Sequence, residues 1–218
     1  MDIVIRARYR MKLIGLTPGA VVALACWDAA SAQMIFHGPG IWPKSDGVAD
    51  VCYVIRPNIP LSWNADIDYG AQLWDLASTK LTLTKHATAN PQCRFNYVQK
   101  ARIDGRGALL GFVERRLKTE TILDCDGHLL QRVERSHTIL DTAEAWFVGG
   151  APPPNCELNS RLISVRQVGA HEFGHWLVVK HPKLVQPADM MWPFTYSCQV
   201  KNALSANDVA EVHNLYCQ

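Results

Sequence analysis

The sequence is constrained most by one short motif, His171-Glu172-Phe173-Gly174-His175. On an α-helix its two histidines lie one turn apart, about 40° from each other around the axis at about 100° per residue. Both imidazoles then project from the same face and are able to bind one metal ion. Glu172 lies at the edge of that face, where its carboxylate can take a proton from water at the metal without being a ligand. The motif therefore predicts a zinc site on a helix.

A third histidine, His181, follows six residues after His175. On a continuous helix it would lie roughly 240° around the axis and would face away. Pro182 disfavours helical geometry at the residue before it, so we expect the helix to end first and His181 to return in an extended segment. Three neutral imidazoles plus water form the open tetrahedral arrangement of a catalytic zinc site.

These residues resemble the pattern of the metzincin metallopeptidases, His-Glu-x-x-His-x-x-Gly-x-x-His followed by a turn that contains methionine. The stretch Asp189-Met190-Met191-Trp192-Pro193 is similar to that turn in the matrixins. Residues 205–209, leading to Leu215 and Tyr216, resemble the closing helix of bacterial matrixin-like domains. The resemblance covers residues 50 to 217, and its most specific part is 168 to 193.

The resemblance implies an α+β fold, a metzincin-like catalytic domain with a twisted mixed β-sheet, an active-site helix and a C-terminal helix. It implies a secreted zinc-dependent endopeptidase in which His171, His175 and His181 bind one catalytic zinc ion. Glu172 is the expected general base, and Met191 is expected to form a hydrophobic floor under the metal. A calcium requirement stays open. The expected partner is a peptide or protein substrate.

The resemblance also places a substrate-binding edge strand at 108–112, with Leu109, Leu110 and Gly111 as candidate contacts. An unpaired strand edge offers backbone donors and acceptors to any extended peptide. A covered structural strand is the alternative. Residues 194–201 are expected to form the wall of the pocket for the first residue after the scissile bond.

One position departs from the family pattern, because Val178 stands where the family has glycine. A β-branched residue adopts the backbone turn of that glycine at a cost on the order of 1 kcal/mol or more. Either the turn is built differently or His181 is displaced. Displacement would favour a secreted non-catalytic binding module on a degenerate metzincin scaffold, or a two-histidine site completed by Asp189 or Glu211.

The N-terminus is typical of a secretory signal peptide. Basic residues precede a mostly apolar stretch at 13–27, and the small residues at 29–32 precede Gln33, so we expect cleavage after Ala32. The apolar stretch is too short for a good membrane span and is interrupted by Pro18. A start at Met11 and a lipoprotein anchored through Cys26 are the alternatives.

The chain is thus divided into a signal peptide at 1–32, an extended N-terminal segment rich in Gly and Pro at 33–50, and one metallopeptidase domain at 51–218. Cleavage removes four basic and two acidic residues, so the formal charge falls from +2 to 0. No basic patch remains in the sequence to indicate nucleic acid or an anionic membrane as a partner. We expect a monomer in an extracellular or periplasmic location.

Six cysteines remain after cleavage, and an even number in an exported chain predicts three disulfides. They are Cys52, Cys93, Cys125, Cys156, Cys198 and Cys217. A bridge between Cys198 and Cys217 is expected, tying the segment after the methionine turn to the last helix. Free buried thiols are the alternative.

Strand-favouring runs and helical periodicity predict the secondary structure. Strands are expected at 51–56, 81–84, 95–103, 108–113 and 133–141. One helix is expected from Asn64 or Asp66 onward, and a second from about Arg161 through Leu177, capped by Asn159 or Ser160. A third helix is expected to start at Ser205, which forms a near capping box with Asp208.

Overall fold

The computed structural model describes residues 30–31, 40–87, 90–91, 93–103, 109–157, 161–182 and 186–218. The predicted signal peptide at 1–32 lies outside these ranges apart from Ala30–Ser31, as do Cys26 and the predicted helix caps Asn159 and Ser160. Within the described ranges, no helix has the length and apolar character needed to cross a bilayer.

Ten strands and three α-helices are found in the described part of the chain. The strands are β1 Ala30–Ser31, β2 Gly40–Ile41, β3 Ala49–Ile55, β4 Leu81–Lys85, β5 Tyr97–Ala101, β6 Gly111–Leu123, β7 Leu129–Asp141, β8 Ala145–Phe147, β9 Leu162–Ser164 and β10 Phe194–Thr195. The helices are α1 Asn64–Ala77, α2 Val165–Trp176 and α3 Ala206–Tyr216.

The main sheet has the strand order β6-β7-β5-β3-β4, with the short β2 pairing parallel to β7. The strands β3, β4, β5 and β7 are parallel, and β6 is antiparallel to β7. Among the described residues β6 pairs with β7 alone, so β6 is an edge strand. This is the mixed sheet that the family resemblance implies.

The strand predicted at 108–113 is the beginning of β6, but its predicted end is wrong. Charged residues such as Glu114 and Arg116 interrupt the β-favouring run in the sequence. In the structure these side chains point to solvent, while Val113 and Arg115 point inward. Pairing with β7 therefore extends the strand to Leu123. The hydrogen bonds between the two strands form even where the outward-facing residues have a low β propensity.

The start predicted for the second helix is also wrong. Residues Leu162–Ser164 form β9, which pairs in parallel with β8, so α2 begins only at Val165. The Ser164 hydroxyl accepts the N–H of Gln167 at 3.2 Å and caps the helix. Tertiary pairing of the preceding residues, which local sequence does not encode, decides where this helix begins.

Helices α1 and α2 pack against each other and both contact the sheet, α1 through the hydrogen bond from Tyr53 Oη to Asp68 at 2.8 Å. Indole hydrogen bonds connect α2 to α1 and to β7. The Trp74 indole of α1 donates to Ala170 O at 2.7 Å. The Trp176 indole of α2 donates to Thr138 Oγ1 of β7 at 2.8 Å. Phe173 packs edge-on against Tyr53 of β3, with ring centroids 5.1 Å apart. Every residue of α2 except Arg166 is buried, which makes this helix the centre of the core.

The described part of the extended N-terminal segment, residues 40–50, packs onto this core. Ile41 is fully buried, and the Trp42 indole donates to Trp176 O at 2.7 Å. That hydrogen bond satisfies a carbonyl at the C-terminal end of α2, where no intrahelical partner exists. The segment before β3 thus helps to end the central helix.

Three disulfides are present, as predicted: Cys52–Cys93, Cys125–Cys217 and Cys156–Cys198. The expected bridge between Cys198 and Cys217 is wrong. The β6–β7 hairpin carries its turn to the end of α3, so Cys125 meets Cys217 across 92 residues of sequence. Cys198 instead meets Cys156 in the loop after β8.

Gly70 allows α1 and α2 to cross closely, because a Cβ there would lie 2.7 Å from Ala170 N and 2.9 Å from Ala170 Cα. Gly70→Ala is expected to lower the free energy of unfolding by about 1–3 kcal/mol, since the helices must move apart.

The control is Gly169→Ala, whose Cβ would meet Ile67 Cα at an ordinary 3.7 Å. Alanine is favoured over glycine in a helix by about 1 kcal/mol, so this control should not lose stability. Urea unfolding followed by tryptophan fluorescence measures both, and equal stability of Gly70→Ala and wild type would contradict the close crossing.

Candidate active site

Helix α2 carries the first two histidines of the predicted zinc site on one buried face. His171 and His175 are one turn apart, and their ring centroids are 4.7 Å from each other. Their exposed fractions are 3% and 0%. Because the helix is packed on nearly all sides, neither imidazole has freedom to turn towards solvent.

His181 completes the cluster. Its Nε2 lies 3.2 Å from His171 Nε2 and 3.0 Å from His175 Nε2. Nitrogens bound to one tetrahedral zinc at about 2.0–2.1 Å are separated by about 3.3 Å, so both distances from His181 fit one zinc ion. The ligand atoms of all three histidines lie within 4.8 Å of one another. The structure thus brings together all three histidines that the sequence singled out.

Backbone carbonyls determine the tautomer of the two helical histidines. His171 Nδ1 donates to Met190 O at 2.8 Å, and His175 Nδ1 donates to Val179 O at 3.0 Å. A neutral imidazole that carries its proton on Nδ1 has a lone pair on Nε2. Such hydrogen bonds orient metal-binding histidines in proteins. Both lone pairs are therefore available at the point where the three Nε2 atoms converge.

The turn after α2 is closed by the two hydrogen bonds of a Schellman motif. Val178 N–H donates to His175 O, and Val179 N–H donates to Gly174 O, both at 3.0 Å. Val178 adopts the left-handed conformation usual for glycine at this position, with φ of 72°. Valine in place of the family's glycine therefore keeps the same turn, and His181 is not displaced.

Burial offsets the strain at Val178. The left-handed conformation costs a residue with a Cβ roughly 1–2 kcal/mol. Val178 is only 4% exposed and packs in the core, and full burial of such a side chain stabilises by roughly 1.5–3 kcal/mol. The same turn places Val179 O against His175 Nδ1. The strained residue is thus part of the turn that orients the imidazole of His175.

Glu172 lies beside the histidines with its carboxylate inside the protein. It is 1% exposed, and neither Oε1 nor Oε2 has a hydrogen-bond partner among the described residues. A buried carboxylate without a partner costs stability, so it indicates a ligand, here water or a metal-bound group. Gly111, the first residue of the edge strand, lies next to it, since a Cβ at Gly111 would be 3.4 Å from Glu172 Oε1.

The methionine turn is held by one carboxylate of α3. Asp208 accepts the N–H of Met190 at 2.7 Å and that of Met191 at 3.1 Å. Asp208 also forms the predicted capping box, because its carboxylate accepts Ser205 N–H at 2.8 Å while its own N–H donates to Ser205 Oγ at 3.1 Å. The sequence predicted the capping box but not the two hydrogen bonds between Asp208 and the methionine turn, which we call the Asp208 clamp. The sequence offered no local signal for this contact, because Asp208 follows Met191 by 17 residues.

Met191 packs beneath the helical turn that carries the two histidines. It is 1% exposed, and it occupies the space that a side chain at Gly174 would need. A Cβ on Gly174 would also lie 2.6 Å from Trp74 Cζ2. The glycine inside the histidine motif is therefore required by close packing of the methionine turn against α2.

Gln167 joins α2 to the segment after the methionine turn, which sequence analysis also missed. This buried amide donates from Nε2 to Thr195 Oγ1 at 3.3 Å and accepts Lys201 N–H through Oε1 at 3.1 Å. It lies one helical turn before His171. The stretch predicted to form the pocket wall, 194–201, is thus attached to the helix that carries the histidines.

The other predicted residues lie as follows. Leu110 is fully buried just before β6, and its carbonyl accepts Asp141 N–H at 2.9 Å, while Leu109 is half-buried. Among the described residues, the cluster of His171, His175 and His181, which could hold a metal ion, includes no carboxylate. Asp189, one alternative ligand, instead lies 3.4 Å from Asn207 Nδ2. The geometry therefore favours three histidines over two histidines and a carboxylate.

Burial changes the protonation of the whole cluster. It lowers the pKa of His171 to about 3 and that of His181 to about 4, and it lowers the pKa of His175 as well. Proximity of the other imidazoles adds to the decrease for His171 and His175. The histidines are therefore neutral at pH 7, the form that binds metal. Burial raises the pKa of Glu172.

The parallel sheet with one antiparallel edge strand, the three converging histidines and the methionine turn define a metzincin-like catalytic domain. The family model of the matrixins matches residues 73–217. The chain therefore belongs to the matrixin family. This membership supports a metalloprotease-type function and, with the three histidines, zinc as the metal.

Among solved structures, the chain is similar to high choriolytic enzyme 1, a hatching enzyme zinc-protease from Oryzias latipes (medaka fish). The identity is 11%, the TM-score is 0.42, and the match covers 81% of this chain and 94% of that chain. Among curated proteins, no sequence match is found.

The pKa values predict how the stability of the metal-free protein depends on pH. The three histidines have pKa values below the ordinary 6.5, so the unfolded chain binds more protons than the folded chain as the pH falls from 6.5 towards 4. Glu172 has the opposite effect on stability, because its pKa is raised above 4.5 and the folded chain then binds more protons than the unfolded chain. Three groups outweigh one, so stability should fall on acidification in this window, by at most about 3 kcal/mol per pH unit.

Urea unfolding of chelator-treated protein at pH 7 and pH 5.5 measures this dependence. The control is His181→Gln, which removes one of the three histidines and should reduce the slope by roughly half. Equal stability of the metal-free wild type at both pH values would show that the histidines are not buried together.

Proposed function

We propose that the chain is a secreted zinc-dependent endopeptidase. The observation that carries the proposal is the convergence of three Nε2 atoms, 3.0 and 3.2 Å apart, beside a buried carboxylate that has no partner in the described structure. His171, His175 and His181 hold the zinc ion, and Glu172 stays outside its ligands. When bound, zinc supplies Lewis acidity that activates water and polarises a carbonyl group.

Glu172 moves the proton. Its carboxylate accepts a proton from the attacking water and then delivers it to the nitrogen of the leaving amine. Burial raises its pKa, which favours an acid and base working nearer to neutral pH than an exposed glutamate does. Met191 and the Asp208 clamp keep the floor of the site in place, and the carbonyls of Met190 and Val179 keep the imidazoles oriented.

The substrate peptide adds to the open edge of β6. Leu109, Leu110 and Gly111 lie where this strand begins, and Gly111 is next to Glu172. Backbone pairing there places an extended peptide across the site largely independently of its sequence. Residues 194–201, attached to α2 through Gln167, form the wall of the pocket for the first residue after the scissile bond.

The protein functions outside the cytoplasm, in an extracellular or periplasmic location, after removal of a signal peptide at 1–32. Three disulfides support this compartment, since such bridges persist in oxidising surroundings. The metallopeptidase domain at 51–218 acts as a monomer, with 33–50 as its N-terminal extension.

Zinc content and cleavage of casein, measured on the oxidised chain that begins at Gln33, test the proposal. We expect about one zinc per chain in wild type and in Glu172→Ala, because Glu172 is not a ligand. Cleavage should fall by roughly 10²- to 10⁴-fold in Glu172→Ala, the usual loss when a general base is removed. Absence of zinc, or equal cleavage by both proteins, would overturn the proposal in favour of a non-catalytic binding module.

The third ligand is tested by His181→Ala against a matched control, His213→Ala. His213 lies on α3, where its ring bonds to Ala77 O at 2.7 Å, away from the cluster. His181→Ala should weaken zinc binding by at least about tenfold in a competition with a chromogenic chelator, because one of three protein ligands is lost. His213→Ala should retain wild-type affinity. Unchanged affinity in His181→Ala would point to a different third ligand.

A further inference from the structure

A groove lined by arginines lies on the outer face of the β6–β7 hairpin, outside the candidate active site. Its volume is about 490 Å³. It is lined by Glu114, Arg115, Arg116, Leu117, Gln131, Arg135 and His137, of which Arg115 is buried with its side chain on the inner face. Thr138 contacts α2 on the inner face, so His137 and Arg135 point to the opposite side of the sheet. We call this feature the arginine groove.

Aromatic rings hold further guanidinium groups beside the arginine groove. Arg94 and Arg135 both lie over the ring of Phe95, at 4.5 and 5.4 Å from its centroid. Arg56 lies 4.3 Å from the centroid of Tyr97, whose ring also stacks on His137 at 4.7 Å. Such contacts position a guanidinium through its face, so that its N–H groups point outward from the ring edge. Arg56 donates one of them, from Nη2, to Arg94 O at 2.9 Å.

The loop that carries Arg94 and Phe95 is anchored to the sheet. The Cys52–Cys93 disulfide attaches it to β3. Asn96, which is buried, accepts Ser136 N–H of β7 through Oδ1 at 3.1 Å. The backbone that carries Arg94 and Phe95 is therefore fixed to the sheet by the fold.

Positive charge is in excess at the arginine groove. Arg116 and Arg135 are directly opposite each other on β6 and β7, a like-charge pair that destabilises a sheet. Glu134 pairs with Arg116 at 3.1 Å, and Glu114 pairs with His137 at 3.1 Å. In the described ranges Arg56, Arg94 and Arg135 form no ion pair with a carboxylate. A bound anion between Arg116 and Arg135 would convert the repulsion into attraction.

The arginine groove is continuous with the candidate active site along β6. Gly111 lies next to Glu172, and Glu114 and Arg116 follow three and five residues later on the same strand. At about 3.3 Å per residue, they lie roughly 10 and 17 Å further along. An extended peptide that pairs with the edge of β6 at Gly111 therefore passes the arginine groove if it continues for several residues.

We propose that the arginine groove is a binding site for an acidic segment of the protein substrate, so that the peptidase favours substrates with Asp or Glu clusters several residues away from the scissile bond. This inference rests on the proposed peptidase function. Alternate side chains of an extended peptide are about 6.6–7 Å apart and share one face. Phe95 and Tyr97, whose rings contact the arginines, are also two residues apart in sequence, Tyr97 at the start of β5 and Phe95 in the loop before it. Their spacing along the chain is thus the same as that of alternate side chains in the peptide.

An acidic peptide fits better than a nucleic acid. Single-stranded nucleic acids bind through bases stacked on open aromatic faces. Here the ring of Tyr97 is engaged by Arg56 and His137, and that of Phe95 by two arginines. What the surface offers is guanidinium N–H groups, which match carboxylates. The formal charge of the mature chain is zero as a sum, although positive charge is concentrated at this cluster.

Paired quenched peptides test the proposal. They share one cleavable core and carry, on either end, an extension of Asp and Glu or of their neutral analogues Asn and Gln. For wild type we expect kcat/KM to be about tenfold higher for the acidic peptide, through KM, since a carboxylate bonded to a guanidinium is a strong interaction. The ratio should fall to about one in the double variant Arg116→Gln, Arg135→Gln. It should be retained in Lys80→Gln, Lys85→Gln, which removes equal charge at the opposite edge of the sheet.

A wild-type ratio near one, or a ratio that survives in the arginine variant, would overturn the proposal. Binding of the fluorescently labelled acidic peptide to zinc-loaded Glu172→Ala, measured by anisotropy, tests it independently of cleavage. If wild type cleaves neither peptide, the peptidase function fails, and this binding measurement alone decides on the arginine groove. Heparin binding that depends on Arg116 and Arg135, without binding of the acidic peptide, would assign the groove to a sulfated polysaccharide and overturn the inference.

Discussion

The burial of helix α2 against both α1 and the sheet is the constraint on which the rest of the structure depends. It brings His171 and His175 into a water-poor environment, and burial keeps their imidazoles neutral. Neutral imidazoles need hydrogen-bond acceptors for their Nδ1 protons, and the carbonyls of Met190 and Val179 supply them. The turn after the helix and the methionine turn are therefore positioned by the same two histidines that they orient.

Several local costs are concentrated around this helix. Glu172 is buried without a partner in the described structure, and Val178 adopts a conformation that suits glycine. Unfavourable local features that persist in a folded protein are usually compensated by surrounding packing and often accompany function. For Val178 the compensation is visible, because its side chain is part of the core. The carboxylate of Glu172 has no such compensation among the described residues and lies next to the start of the edge strand.

Helix α3 connects the site to the hairpin that carries the arginine groove. At its first turn, Asp208 binds the backbone of the methionine turn. At its end, the Cys125–Cys217 disulfide attaches the turn of the β6–β7 hairpin. The methionine turn and the far end of β6 are thus held by one element. A protein segment on the arginine groove would contact the same hairpin that begins beside Glu172.

The sequence by itself determined the features that depend on local spacing: two histidines and a glutamate on one helix, a histidine beyond a helix end, a methionine turn and an even number of cysteines. Helical periodicity and the steric effect of proline act over a few residues, so the structure they cause can be predicted from the local sequence. Only the tertiary structure decided that Cys217 pairs with Cys125, that β6 continues to Leu123 and that α2 begins after a strand pairing. It also decided that Asp208 clamps the methionine turn, and that Val178 takes the glycine conformation and brings His181 to the other two histidines. These outcomes depend on contacts between residues far apart in the chain, whose energies no local pattern encodes.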